Sequence, residues 1–408
     1  MKTTVILFVT TTFVFLGFEL FGQNDNKWNG WRGPDRDGRV SGFTVPETWP
    51  GQLNKKWLQT VGLGDASPVL FEGRIYLHTR KNDSETAMCI DAETGRIIWE
   101  EVNNPAPEVT GGAASHPGPR STPAIAGGRV FNLGAGGNFT CRDAQTGQLI
   151  WRNDEYTDEV PQFFVACSPL VLDNKVIVHL GGREKGTVVA FSISDGLKIW
   201  ELKGESSTYS SPLLMRTYDN LLVVQGENDL LGISVDKGEL LWKFNTPTSQ
   251  RFYNSSTPVI SGKTVYIAGQ GTGMRALEIE RENSGFVVKE TWVNPDAGVS
   301  FNTPVIKDGF LYANDARFGN IFCVNAHSGV TAWIDTTKHN RFASLLDLGA
   351  IMATLPATGQ LIFYKPEPSA YHEVMAYKVA ETEVYAHPVI AGNRIFVKDK
   401  ENLTCWEF

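Results

Sequence analysis

The chain has 408 residues, a net charge of −8 and an isoelectric point near 5.5. A mildly acidic chain without a Lys/Arg stripe does not suit a phosphate backbone, so nucleic acid is excluded as an expected partner. Apolar residues make up 42% and charged ones 20%, ordinary for a globular chain, while Gly (40) and Trp (11) are plentiful.

In chain order, the first residues, MKTTVILFVTTTFVFLGFELFG, carry Lys2, an apolar run from Val5 to Leu16 and small residues near Gly22. This is the pattern of a secretory signal peptide over 1–22. The run is broken by three threonines and followed by Glu19, too short for a comfortable membrane span. The first Cys is Cys89, far from the presumed cleavage point, so no lipid anchor is expected. The mature chain is expected to be a monomer, periplasmic or secreted, with no transmembrane segment left. Residues 23–54 read as an N-terminal extension and 55–408 as one repeat domain. Within the extension, PDRDG at 34–38 has the alternating Asp of a calcium loop but lacks the rest of the pattern, and reads as a turn.

From residue 68 a small-Pro-apolar-apolar element recurs, with register positions at 68, 123, 169, 212, 258, 304, 344 and 388. Ser344 stands where the other copies have Pro. The period is about 46 residues, and each period holds four short runs of Val, Ile, Leu and aromatics between Gly, Asn or Asp turns. Four strands per unit of this length is the mark of a propeller blade, so the expected fold is all-β: an eight-bladed β-propeller of four-stranded antiparallel blades.

A second element follows each register, as DAETGRIIW at 91–99 and DAQTGQLIW at 143–151. The Asp accepts bonds from nearby backbone N–H groups, the Gly closes a hairpin in the left-handed region, and the Trp four residues later lies on the outermost strand to pack on a neighbouring blade. Trp99, Trp151, Trp200, Trp242 and Trp333 keep this spacing, whereas ahead of Trp292 the turn reads as lengthened. The last blade runs out after its third strand, and KKWLQT at 55–60 is expected to complete it, with Trp57 in the docking position. Cys89, Cys141 and Cys323 lie ten residues before their Trp, and Cys405 matches them. Copies on different blades are too far apart to bridge, so these read as packing thiols at a position that wants a small side chain.

The repeated CIDAETGRIIW and CRDAQTGQLIW resemble the docking motif of the bacterial pyrroloquinoline quinone (PQQ) repeat. With WNGWRGPDRDG at 28–38 and HPGPRSTP at 116–123, nearly the whole mature chain resembles exported PQQ-like propellers of the BamB-like and quinoprotein-like kind. That resemblance implies either a scaffold of the envelope or a quinone dehydrogenase with calcium. The dehydrogenases of this kind use a disulfide between adjacent Cys residues, a calcium site and a catalytic Asp. No two Cys are adjacent here and no calcium set aligns, so no catalytic residue carries over and the catalytic group is unknown; PQQ with calcium remains admitted by the resemblance alone.

In a propeller, the loops entering the innermost strands form the rim of the axial channel. The polar residues just ahead of each register position are therefore the binding candidates: Asp65, Arg120, Cys167, Tyr209, Asn254, Asn302, Arg341 and His387. His116 joins them from the Gly- and Pro-rich connection ahead of Arg120. Arg120 suits a carboxylate, of a quinone or an acidic sugar, or else pins its own loop. The same residues also fit a wet channel in which loop groups satisfy one another. The seven His show no paired metal spacing, so no metal site is expected. The Gly-rich segments at 134–138 and 269–273 sit between strands and not before helices, and no Gly-x-Ser-x-Gly elbow occurs. The readings that remain are a non-catalytic binder or scaffold of envelope proteins, a PQQ-dependent alcohol or sugar oxidoreductase, and a small-molecule or glycan binder at the channel mouth.

Overall fold

Short apolar runs separated by tight turns can bury both faces only if sheets stack face to face, and that is what the chain does. The computed structural model describes residues 27–158, 160–161, 163–182, 185–218, 221–248, 253–283 and 285–408; the signal segment read at 1–22 lies outside them. It contains eight four-stranded antiparallel sheets. Blade 1 runs from Val69 to Pro105, blade 2 from Ala124 to Asn153, blade 3 from Leu170 to Lys203 and blade 4 from Leu213 to Asn245. Blade 5 runs from Val259 to Asn294, blade 6 from Val305 to Ile334 and blade 7 from Ala343 to Lys378. Blade 8 takes three strands between Val389 and Glu407 and a fourth from Asn54–Thr60. That fourth strand pairs antiparallel with Asn402–Glu407, so the two halves of the ring are joined by a ladder of backbone bonds, as the sequence indicates.

The cores lie between blades. One joins Val69, Tyr76 and Trp99 of blade 1 to Ile125, Val130 and Ala144 of blade 2; another joins Trp151 and Phe139 to Val176 and Phe191. The outer-strand Trp residues other than Trp242 reach over to the next blade. Trp99 Nε1 donates to Ala144 O at 3.1 Å, Trp151 to Ile193 O at 3.2 Å and Trp200 to Val235 O at 2.8 Å. Trp57 closes the circle on Ala92 O at 3.2 Å. The indole lies flat on the turn Gly: at Gly147 (φ +78°) a Cβ would sit 2.7 Å from Trp99, so both the conformation and the stack require Gly there. Across the strand pair, Trp99 faces Cys89, Trp151 faces Cys141, Trp200 faces Ala190 and Trp57 faces Cys405. This is the physical reason for the small residue. All five Cys are buried and unbridged.

Two readings change. Ahead of Trp292 it is the strands that are longer and not the turn, since the ladder continues from Met274↔Asn294 out to Glu282↔Gly285. The alternating polar and apolar residues of that stretch suit a projecting hairpin. Blade 5 therefore offers no Gly turn to Trp242, which folds back onto Gly232 of its own blade, where a Cβ would fall inside the indole. Its Nε1 is buried without a partner among the described residues.

The extension is also more than a lead-in. Residues 28–40 cross the propeller axis: Trp28 bridges to Leu70 of blade 1, Asn29 O accepts from Ile125 N of blade 2 at 2.8 Å, and Val40 N donates to Asp347 O of blade 7 at 2.8 Å. Two arginines in this segment point into the axis. Arg32 donates to Thr303 O at 2.7 Å, Pro304 O at 3.0 Å and Asp37 O at 2.9 Å. Arg36 donates to Ser168 O at 3.1 Å, Pro212 O at 3.0 Å and Pro169 O. Both are buried, 1% and 8% exposed, and both hold left-handed backbone (φ 57° and 58°), which a non-Gly residue keeps only where its surroundings fix it. PDRDG is thus a turn, as read, but a turn that plugs the channel.

Candidate functional site

With one end of the axis plugged, the other forms a blind funnel of about 760 Å³. Its floor comes from the residues immediately before the register positions. Their backbone amides and hydroxyls form a head-to-tail chain around the axis. His387 N donates to Ser67 Oγ (2.8 Å), Ser67 N to Thr122 Oγ1 (3.1 Å) and Thr122 N to Ser168 Oγ (3.1 Å). The chain continues from Ser168 N to Ser211 Oγ (2.9 Å), Ser211 N to Thr257 Oγ1 (3.0 Å) and Thr257 N to Thr303 Oγ1 (3.2 Å). Ser67, Thr122, Ser168, Ser211, Thr303 and Ser344 line the cavity, and Trp31 of the plug lies beside His387 at its base, ring centroids 6.0 Å apart.

The lip is aromatic. His116 meets Tyr385 edge-on at 4.6 Å, Tyr385 meets Phe342 at 5.2 Å, and Phe342 stacks on Phe301 at 4.6 Å and 8°. Tyr209 follows at 5.9 Å from Phe301, and Tyr253 bridges Tyr209 (5.6 Å) and Phe163 (5.3 Å). Such platforms take apolar ring faces.

The residues singled out from sequence separate largely by their offset, with Arg341, three places before position 344 but outside the funnel, and His387, one place before its Pro but inside it, as exceptions. Those three places before the register, Asp65, Arg120 and Tyr209, line the funnel together with His116 and His387. Asp65 Oδ2 pairs with His116 Nδ1 at 2.8 Å, and this bond holds the imidazole above its usual pKa. His387, immobilised beneath them, goes the other way: burial, helped by Arg32, pushes it well below the usual value and keeps it neutral. Arg120 Nη2 donates to His116 O at 2.8 Å and its guanidinium packs 6.0 Å from the Tyr209 and Phe164 rings, so it pins its own loop. The other four lie elsewhere. Asn254, four places before the register, lines a separate cavity of about 190 Å³ and holds carbonyls of Glu227 (3.1 Å) and Thr246 (3.0 Å). Asn302, two places before, is buried against Asn314 O (2.8 Å). Arg341 lies over the Phe342 ring at 5.3 Å, behind the lip. Cys167 is also two places before and turns into blade 3, its Sγ against the backbone of His179. A strict count of three places before each register position would have found Phe301 and Tyr385, and the Ser/Thr ahead of each Pro signalled the floor. Arg32 and Arg36 carried no signal beyond their buried-looking Gly/Pro surroundings.

The fold invites PQQ with calcium, and the donors do not fit it. Among the described residues no group of three or more His, Cys, Asp or Glu could hold a metal ion. The funnel's carboxylates are Asp65, bonded to His116, and Glu227; the guanidinium of Arg120 gives Nη2 to a loop carbonyl, while its Nη1 is buried without a partner among the described residues.

A ring of eight four-stranded blades with Trp-on-Gly docking defines a PQQ-like β-propeller. The chain belongs to the family whose model is described as "Outer membrane protein assembly factor BamB", which matches residues 47–154 and 109–335. It is 26% identical to the outer membrane protein assembly factor BamB of Shewanella oneidensis over 56% of this chain and 60% of that one. To the methanol dehydrogenase [cytochrome c] subunit 1 of Methylorubrum extorquens it is 25% identical over 50% of this chain, spanning 33% of the relative's length. Among solved structures, BamB from Moraxella catarrhalis superposes with a TM-score of 0.64 at 14% identity, over 87% of this chain and 98% of that one. Quinohemoprotein alcohol dehydrogenase from Comamonas testosteroni gives 0.70 at 14% identity, over 94% of this chain and 80% of that one, a likeness of fold. Among the described residues no helix is long and apolar enough to cross a membrane.

Proposed function

We propose that this chain is a non-catalytic binding propeller of the cell envelope, exported by its N-terminal segment, which takes its ligand in the axial funnel. The observation that carries the reading is the funnel itself: a cavity with an aromatic lip over a hydroxyl floor. A concave, largely preformed site with convergent polar groups is what a small ring-bearing ligand needs. The envelope assignment rests on the signal-type segment and on the names of the relatives.

Calorimetric titration of the mature protein tests it. Phenyl β-glucoside, a neutral sugar bearing an aromatic ring, is expected to bind saturably and to lose at least tenfold in affinity in Phe301→Ala. PQQ with calcium is expected to give no dye reduction with alcohols or sugars. Turnover with PQQ would replace this reading by the oxidoreductase one.

A further inference from the structure

The six hydroxyls of the floor chain accept hydrogen bonds without giving any. Ser67, Thr122, Ser168, Ser211, Thr257 and Thr303 each receive the neighbouring blade's amide, and no hydroxyl among them donates to a described residue. The five that line the funnel are each buried, at most 6% exposed. Ser344, 5% exposed, adds a further hydroxyl to the same floor. A buried hydroxyl that accepts one amide and donates to no described residue keeps its proton to offer beside a second lone pair, and here several such O–H groups converge on one axis.

Directly behind this floor stand the plug arginines. Ser168 and Thr303 present hydroxyls to the funnel while their carbonyls hold Arg36 and Arg32. Neither guanidinium has a carboxylate in ion-pair contact among the described residues. Both stay charged near neutral pH, since burial lowers them only to about 10. Lys398 adds a third buried cation at the base, held by Gly64 O at 2.9 Å and Asp399 O at 2.8 Å. Against these stand two carboxylates on the wall, Asp65, which His116 answers, and Glu227. Asp37 acts on Arg32, and Asp65, Asp399 and Glu401 act on Lys398, but no carboxylate bonds either plug guanidinium, and a floor of convergent O–H donors over these cations favours negative charge.

We propose, resting on the funnel being a ligand site, that its floor is an oxyanion site which takes the carboxylate or phosphate group of a ring-bearing ligand whose ring lies against the aromatic lip. The ligand enters acid-first, the anion meeting the hydroxyls of Thr122, Ser168, Thr303 and Ser344 and the ring stopping at Phe301 and Phe342. The plug segment is then part of the binding site, with Trp31 at its base and the guanidiniums setting the field beneath the anion.

Titrations of the full mature chain with three matched probes decide this: phenyl β-glucoside, phenyl β-glucuronide and phenyl phosphate. The expected result is at least tenfold tighter binding of both anions than of the neutral glucoside. The double variant Thr303→Val/Ser344→Ala is expected to lose that tenfold preference while keeping its affinity for the glucoside. Ser344→Ala alone, at a hydroxyl outside the amide chain, is expected to lose about threefold for the anions and guards against a misfolded double variant. Preference for phosphate over glucuronide, or the reverse, assigns the source of the oxyanion. Equal affinity for glucoside and glucuronide would overturn the oxyanion floor and leave the funnel reading standing. Failure of all three to bind would overturn both, and anion preference that survives both variants would overturn the role of the hydroxyls.

Discussion

At the plugged end of the axis, six carbonyls are met by two guanidiniums, five of the six bonds between buried groups. At the open end, the same loops present hydroxyls that accept from the neighbouring blade's backbone amide and donate to none of the described residues. The register residues thus have two faces, one turned to each end, and only one is satisfied internally. Buried polar groups normally use their hydrogen-bonding capacity, so the unused O–H donors of the floor are what the proposed ligand would meet. The plugged end should therefore carry stability and the open end recognition.

The largest expected effect comes from breaking the plugged end. Arg36→Ala leaves the Ser168, Pro169 and Pro212 carbonyls buried and unmet, and removes a side chain that fixes the segment across the ring. Bonds from a charged donor contribute about 1.5–3 kcal/mol each and are not additive, so a loss of about 3 kcal/mol or more in urea unfolding is expected. Ser344→Ala at the open end, with no hydrogen bond of its own to lose, is expected to stay within about 0.5 kcal/mol. If the two variants lose equal stability, the division of labour between the ends fails.

Acid separates the ends more gently. His387 at the floor and His78 and His179 between blades are buried, and burial holds them low, His179 at about 4 and His78 at about 3. Such groups contribute nothing to the pH dependence above their unfolded value near 6.5. Below it the unfolded chain takes up protons that the native one refuses. Stability should fall from about pH 6.5 toward pH 4, by about 1.4 kcal/mol per histidine per pH unit. His116 has the opposite sign: its pKa is raised by Asp65, so its contribution is full at acid pH and fades as pH rises through its folded value. His116→Gln should leave the acid slope unchanged, and His387→Gln should make it shallower, read from unfolding midpoints at each pH.

How much of this was written in the sequence follows from what repeats. The blade period, the Trp docking, the closing strand and the small residue facing each Trp recur in several copies, and repetition exposes the physical constraint behind them. The funnel was half legible for the same reason. Asp65, Arg120 and Tyr209 hold one offset from the register and were found; Phe301 and Tyr385 hold it too, but aromatic residues in a loop read as core. Asn254 and Asn302 were drawn in by polarity, and the one-residue difference in offset turns each into its blade. The plug occurs once, and its arginines act on blades 3, 4 and 6 over separations of 132 to 272 residues, beyond any local pattern.

The smallest effect concerns an exception that tests whether repetition means energy. Trp99 docks on Gly147 and donates to Ala144 O at 3.1 Å, whereas Trp242, facing a blade without the Gly turn, keeps a buried Nε1 with no partner. Replacing Trp by Phe removes the indole N–H and part of the ring in both places. At Trp99 it also leaves Ala144 O without its donor, and a loss of about 1–2 kcal/mol is expected. At Trp242 the deleted N–H was itself an unmet buried donor, whose removal offsets the lost contact area, and the change should be about 0.5 kcal/mol or less in either direction. Paired urea curves of Trp99→Phe and Trp242→Phe measure the difference. A gap near 1 kcal/mol would mean that the docking bond is a working part of each regular junction, and that the junction between blades 4 and 5 holds through the apolar packing of Trp242 against Leu277 and Ile279.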